Sequence, residues 1–291
     1  MSKSLPPMRC GNTEFRWGER TYVMGVCNLS PDSFSGDGLG DDIEATVAQA
    51  KRMVAEGADI IDIGGESTRP GTEPLPLDDI EGELRLVIPA IERLAAELPV
   101  PLSIDTYKAG VARRAVAAGA SLINDIWGLK RDPAIARVAA EAGVPIILMA
   151  NQRDAPPRVG IMAKVISDLE TGIKIAVGAG VAEGNIIVDP GIGFGKSLEQ
   201  NLELIKRLAE LKSLGRPILL GTSRKSMIGL VLNLPPDQRL EGNLAVTAIG
   251  IANGADMVRV HDVGPTVRVC RMSDAIIRRG TVGDGTVNRV S

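Results

Sequence analysis

The sequence predicts an α/β protein of the TIM (β/α)8-barrel class, with an N-terminal β-hairpin capping the bottom of the barrel. Three observations carry this reading. One local pattern recurs along the chain: a helical stretch ends in Gly, and a short apolar run then ends in a polar residue. The apolar runs lack strict alternation, as parallel strands covered on both faces do. Amphipathic stretches separate them, giving about eight strand–helix units, the count of a closed barrel. A doubly wound open sheet is the rival, and it usually has fewer strands.

In chain order, residues 8–21 read as the hairpin, with "RWGER" as its turn. "YVMGVCN" (22–28) is the first strand run, and 41–56 the first helix. "AEGADIIDIGG" (55–65) supplies the next strand and 79–97 its helix. "LPVPLSIDT" (98–106) follows, with Pro in place of Gly, and then 108–118. The next pairs are "AAGASLINDIWG" (117–128) with 132–142, and "EAGVPIILMAN" (141–151) with 160–180. "AEGNIIVDPG" (182–191) precedes 197–213, "LGRPILLGTS" (214–223) precedes 239–253, and "ANGADMVRVHD" (252–262) precedes 264–279. The glycines read as helix C-caps, where a positive φ costs glycine little. Residues 1–280 form one domain on this reading, and "TVGDGTVNRVS" (281–291) reads as a flexible tail.

Composition narrows the function. The 291 residues carry a net charge of −3, which argues against a general nucleic-acid or membrane-surface binder. Hydrophobic residues make up 44%, ample for a core. Cys10, Cys27 and Cys270 form neither a CxxC nor a Cys/His ligand pattern. The N-terminus has no apolar signal segment, and no apolar run reaches the roughly 20 residues that span a bilayer. A soluble, reducing, cytoplasmic setting is the expectation.

In a TIM barrel the chemistry sits at the C-terminal ends of the strands. The runs deliver there Asn28, Asp62, Asp105, Asn124, Asp125, Met149, Asp189, Arg259 and His261, with the loops "GGESTRPG", "PGIGFGK" and "TSRKS". His261 is the chain's only histidine. It reads either as a satisfied core residue or as a group aimed at a ligand, and its company on the rim favours the second. Thr68 and Arg69 pair a hydroxyl with a bidentate cation, which suits a phosphate, although such a loop is often only a turn. "DPGIGFGKS" is no Walker A loop, since Gly six positions before the Lys is absent. Aromatic residues are 2% of the chain, so Phe34 and Phe194 in rim loops read as walls for an aromatic substrate. Lys225 faces Asp105 and Asp189 across the rim. Asp105, Asn124 and Asp189 together suit a heterocycle with an amidine-like edge, because carboxylates accept paired N–H groups and an amide both donates and accepts.

Taken in order, "MGVCNLSPDSFSGDG", "DIGGESTRPG", "SIDTYK", "GASLINDIWG", "DPGIGFGK", "GTSRKS" and "MVRVHDV" resemble the dihydropteroate synthases, pterin-binding TIM-barrel enzymes of folate biosynthesis. The resemblance implies a transferase that condenses 6-hydroxymethyl-7,8-dihydropterin diphosphate with 4-aminobenzoate. It implies that Asp105, Asn124, Asp189 and Lys225 hold the pterin edge, with Met149 packed on the ring. Asn28, Thr68, Arg69, Arg259 and His261 would bind the diphosphate, with Mg²⁺ near Asn28. Phe34, Pro70, Phe194 and Ser223 would line the aminobenzoate pocket. Asp105, Lys225, Arg259 and His261 would carry the catalysis, and a homodimer through late barrel helices is implied. The family usually has a His-Met pair after the fifth strand; here "LMANQRDAPP" places Ala150, Asn151 and Arg153 there. A folate-to-corrinoid methyltransferase and a non-catalytic pterin-binding paralogue are the alternative readings of the same barrel.

Overall fold

The computed structural model describes residues 5–30, 40, 42–66, 75–154 and 160–278. Eight parallel strands form the central sheet: β3 (Tyr22–Asn28), β4 (Ile60–Gly64), β5 (Leu102–Asp105), β6 (Leu122–Asp125), β7 (Ile146–Met149), β8 (Ile186–Asp189), β9 (Leu219–Gly221) and β10 (Met257–Val260). Their order is β8-β7-β6-β5-β4-β3-β10-β9, and a parallel bridge between Val188 and Ile218 joins the two ends. The ring therefore closes as the sequence predicts.

Helices α1 (Ile43–Ala55), α2 (Glu81–Glu97), α3 (Ala109–Ala118), α4 (Ala134–Ala142), α5 (Ile161–Gly178), α6 (Leu198–Lys206), α7 (Ser226–Leu232), α8 (Leu240–Ala252) and α9 (Val263–Ile277) cover the outside. Asp42 caps α1 by accepting from the Ala45 amide at 2.9 Å. Ser197 and Gln200 form a reciprocal capping box on α6. The stretch 197–213 is not one helix: α6 stops and Leu208–Leu214 continue as 3-10 turns. Gly184 is no C-cap either; it lies in the 3-10 turn Glu183–Asn185, and Gly180 holds the positive φ after α5.

The hairpin is shorter than expected. β1 (Met8–Cys10) pairs with β2 (Thr13–Phe15), and the turn is Gly11-Asn12. "RWGER" is a turn, but it follows the hairpin and leads into β3. Gly11 turns at a φ of +55°, and a Cβ there would sit 2.9 Å from Ser121 Oγ. Met8, Cys10, Phe15 and Trp17 bury themselves against Tyr22, Met24, Ile60, Leu122, Ile147, Ile187, Leu219 and Met257. Those partners lie near the N-terminal ends of their strands, so the hairpin floors the barrel. A larger apolar layer fills the space between strands and helices. With the floor closed, the open rim lies at the C-terminal strand ends.

Candidate active site

The parallel register brings polar strand ends together at that rim. Asp105 stands beside Asn124 and Gly64, and Asp189 beside Met149. Arg259, near the end of β10, reaches past β3 to β4 and β5. Its Nε donates to Asp62 Oδ2 at 2.6 Å and its Nη2 to Asp105 Oδ2 at 2.7 Å. Asp62 is fully buried; Asn124 Nδ2 donates to the same Oδ2 at 3.1 Å, and Oδ1 has no hydrogen-bond partner. Burial lowers the Arg259 guanidinium, but Asp62 and Asp105 outweigh it and hold the cation above its ordinary value. Burial pushes the Asp105 carboxyl up to about 7, with Arg259 opposing.

Asp189 and Lys225 form the second polar group. Asp189 is buried, and its Oδ1 accepts the Gly191 amide at 2.6 Å. Burial raises its carboxyl, with Lys225 opposing. One oxygen of the expected pterin reader is thus already engaged by its own loop. Lys225 Nζ donates to the Ile192 carbonyl at 2.6 Å, and burial pushes its ammonium down to about 8 against the pull of Asp189. Gly221, at the end of β9, borders the pair: a Cβ there would make ordinary contact, 3.8 Å from Lys225 Nζ and 3.9 Å from Asp189 Oδ2.

His261 is a partly exposed rim residue rather than core. Its Nδ1 lies 2.9 Å from Ser223 Oγ, which also accepts the His261 amide at 3.2 Å. The neighbouring Arg224 pairs with Asp262 at 2.9 Å and so ties the loops after β9 and β10. Asn28 ends β3 half-buried on the same rim. Among the described residues no group of three or more His, Cys, Asp or Glu could hold a metal.

Phe194 stands beside these groups. Lys225 Nζ lies 4.8 Å and the Arg153 guanidinium carbon 4.5 Å from its ring centroid. The ring packs against Tyr107, Ile126, Trp127 and Met149. Met149 is buried in that cluster, so it backs the rim. The unusual run after β7 has a structural use: Asn151 is fully buried, donates from Nδ2 to the Ile126 carbonyl at 3.0 Å and accepts the Arg153 amide at 3.0 Å. The side-chain amide of Asn151 therefore braces this loop from within.

Phe34, Thr68, Arg69 and Pro70 lie outside the described residues. Two groups went unassigned in the sequence. Asp62 was visible as a rim carboxylate, but its role as the anchor of Arg259 depends on a partner 197 positions away. Lys108 carried no signal beyond its place in "SIDTYK". It is completely buried, and its Nζ meets Glu66 at 2.7 Å, Glu83 at 3.2 Å and the Asp79 carbonyl at 2.9 Å. Tyr107 donates to the same Glu66 at 2.6 Å.

The family model described as pterin binding enzyme matches residues 24–261. The dihydropteroate synthase of Clostridium beijerinckii is 54% identical over 94% of this chain and 100% of its own length. That of Bacillus subtilis is 52% identical over 92% of each chain. Among solved structures, a Clostridium difficile dihydropteroate synthase in the presence of pteroic acid superposes with a TM-score of 0.85 at 48% identity, covering 91% of this chain and 100% of its own. The Xanthomonas albilineans enzyme with 4-aminobenzoic acid gives 0.86 at 42% identity, covering 94% and 98%.

Proposed function

The chain belongs to the pterin-binding enzyme family, on its dihydropteroate synthase branch, and from that premise we propose how its rim divides the work. The reaction joins the amine of 4-aminobenzoate to the methylene of 6-hydroxymethyl-7,8-dihydropterin diphosphate. A C–N bond forms, the C–O bond to diphosphate breaks, and the amine loses a proton. The observation that carries the assignment is the pair of charge clusters at one mouth, Asp62–Arg259–Asp105 beside Asp189–Lys225.

Asp189, Asn124 and Lys225 hold the pterin edge. Asn124 spends its amide N–H on Asp62, which leaves its carbonyl oxygen to accept from the ring. Asp189 accepts ring N–H groups, and Lys225 donates to a ring acceptor. A pocket that leaves buried polar groups unpaired with the wrong heterocycle discriminates strongly. Asp105 lies against the methylene side, where a carboxylate stabilises positive charge on the departing pterin. Arg259 and His261, with Thr68 and Arg69, take up the negative charge that grows on the leaving diphosphate. Phe194 and Ser223, with Phe34 and Pro70, flank the aminobenzoate ring. The arylamine is neutral at pH 7 and needs no strong base, so catalysis is mostly positioning and charge stabilisation.

Mg²⁺ fits the donor set. It keeps several waters and binds substrate phosphates beside one or two protein oxygens, and Asn28 offers one hard amide oxygen on the rim. Bound there, the ion supplies positive charge against the leaving group. A homodimer accords with Leu230, Val231, Ile249, Met272 and Ile276, large apolar side chains exposed on α7, α8 and α9. A cytoplasmic site accords with the buried thiols Cys10, Cys27 and Cys270. No helix among the described residues is long and apolar enough to cross a membrane.

Diphosphate release with both substrates and Mg²⁺ tests the reading. Turnover that needs 4-aminobenzoate supports it. Pterin binding without release would return the chain to the non-catalytic alternative.

A further inference from the structure

The loop after β8 closes around an ammonium of its own. Lys196 Nζ donates to the Gly191 carbonyl at 2.7 Å, the Ala150 carbonyl at 2.8 Å and the Phe194 carbonyl at 3.1 Å. An ammonium has three donors, so all three are used, and each acceptor is a backbone oxygen. The oxygens come from two places: Ala150 directly follows β7, while Gly191 and Phe194 follow β8. Glycine permits their convergence. Gly191 and Gly195 both hold a φ of +68°; a Cβ on Gly191 would lie 2.2 Å from the Ala150 oxygen, and one on Gly195 2.3 Å from the Gln152 carbonyl carbon. The Gln152 amide donates to Phe194 O at 3.3 Å across the same seam. Burial pushes the Lys196 ammonium down to about 7, with Asp189 opposing, so the cation sits where solvent would not have put it.

We infer that Lys196 is a positioning residue for the 4-aminobenzoate pocket: its three carbonyl bonds lock the Phe194 loop onto the end of β7 and thereby set the ring that walls the pocket. The inference rests on the synthase reading above. Lys196 touches no substrate in this scheme; it acts through Phe194. The effect is uneven because the second anchors differ: the Gly191 amide bonds the buried Asp189 carboxylate at 2.6 Å, whereas the Phe194 carbonyl has only the Gln152 amide at 3.3 Å. Loss of Lys196 leaves the Asp189 anchor in place, while the Phe194 end keeps only longer bonds, that one and its own amide to the Gly191 carbonyl at 3.1 Å. The pterin side therefore keeps its geometry while the aminobenzoate wall drifts from Lys225.

The test compares wild type with Lys196→Ala and Lys196→Met in steady-state assays of both substrates, alongside thermal melts. The expected result is a KM for 4-aminobenzoate raised about tenfold, as for loss of uniform binding, with the KM for pterin diphosphate within about twofold. Methylammonium should partly restore the Lys196→Ala enzyme by filling the carbonyl cradle, and tetramethylammonium, which has no N–H, should not. An unchanged KM for 4-aminobenzoate would overturn the inference, as would an equal rise for both substrates with no methylammonium rescue. If the variants fold too poorly to assay, Phe194→Ala in an intact cradle must show the same one-sided KM rise, and its failure to do so refutes the scheme. An inactive wild-type chain overturns the synthase reading and this inference with it; an active wild type with indifferent Lys196 variants overturns this inference alone.

Discussion

Replacing Arg259 by methionine removes the guanidinium that bonds Asp62 at 2.6 Å and Asp105 at 2.7 Å while keeping much of its stem. Asp62 has no exposure, and one of its oxygens is already without a partner. Methionine leaves that carboxylate with only Asn124. Breaking a buried pair from one side costs about 3–5 kcal/mol, because the remaining charge stays unpaired. Unfolding entropy of about 2.1 cal/mol/K per residue amounts to about 0.6 kcal/mol/K over this length. The melting temperature should therefore fall by about 5–8 °C. The pairing itself can be isolated by adding Asp62→Asn, which removes the buried charge and keeps an acceptor for Asn124. The double variant should melt above Arg259→Met alone, a non-additivity expected of groups in one network. Differential scanning calorimetry at pH 7 measures all three proteins. A single variant that melts within a degree of wild type, or a double variant that is worse than the single, would refute the argument. Turnover has a separate expectation: loss of one group that neutralises a leaving group costs about 10²-fold in kcat.

Asp189→Asn should abolish measurable pterin binding by isothermal titration, since an amide cannot both receive the Gly191 amide and accept the ring's paired N–H groups; near-native affinity would remove Asp189 from the pterin edge. Gly191→Ala should destabilise the fold and raise the KM for 4-aminobenzoate, because the new Cβ would lie 2.2 Å from the Ala150 oxygen; an unperturbed melt would show that the loop shifts freely. Activity should fall as pH rises through about 8, where Lys225 loses its proton. The sign for stability is opposite: the folded value is depressed below 10.5, so the unfolded chain binds more protons from about pH 8 to 10.5 and this group's contribution to stability rises there. An alkaline activity limb accompanied by unfolding at pH 9 would discard Lys225 as its cause. Chelation of Mg²⁺ should depress turnover while leaving the melting temperature in place, and an enzyme indifferent to chelator would remove the metal from the scheme.

The barrel was legible because its signals are local. A helix that ends in Gly, followed by an apolar run ending in a polar residue, reports on a few adjacent residues, and Gly57, Gly119, Gly143, Gly215 and Gly254 all adopt positive φ where the pattern placed caps. α7 escaped because "SMIGLVL" has no polar face to mark a period, and Leu230, Val231 and Leu232 are in fact exposed. The hairpin turn was misplaced because "RWGER" and Gly11-Asn12 both carry turn residues, and only pairing with β2 decides between them. At the rim, residue types were readable but couplings were not. Arg259 finds Asp105 across 154 positions, and Lys196 finds Ala150 across 46. Such contacts depend on how the ring closes, which no window of sequence contains.

The distribution of aromatic rings has a spectroscopic consequence. Phe15, Trp17 and Tyr22 cluster at the barrel floor, with Phe15 and Tyr22 centroids 4.7 Å apart. Tyr107, Trp127 and Phe194 cluster at the mouth, with Tyr107 and Trp127 centroids 6.5 Å apart. The chain has two tryptophans, so each end of the barrel owns one, and excitation at the red edge of the absorption band selects them over the tyrosines. Trp17 is enclosed by hairpin and strands and should emit independently of ligand. Trp127 shares its cluster with the Phe194 ring and lies 5.2 Å from the Arg131 guanidinium, so its emission should be quenched or shifted when a pterin enters. Trp17→Phe would then leave a single tryptophan at the site, and Trp127→Phe a single tryptophan that follows the floor as the barrel unfolds. Occupancy is then followed in one variant and unfolding in the other, each by the protein's own light and without a label.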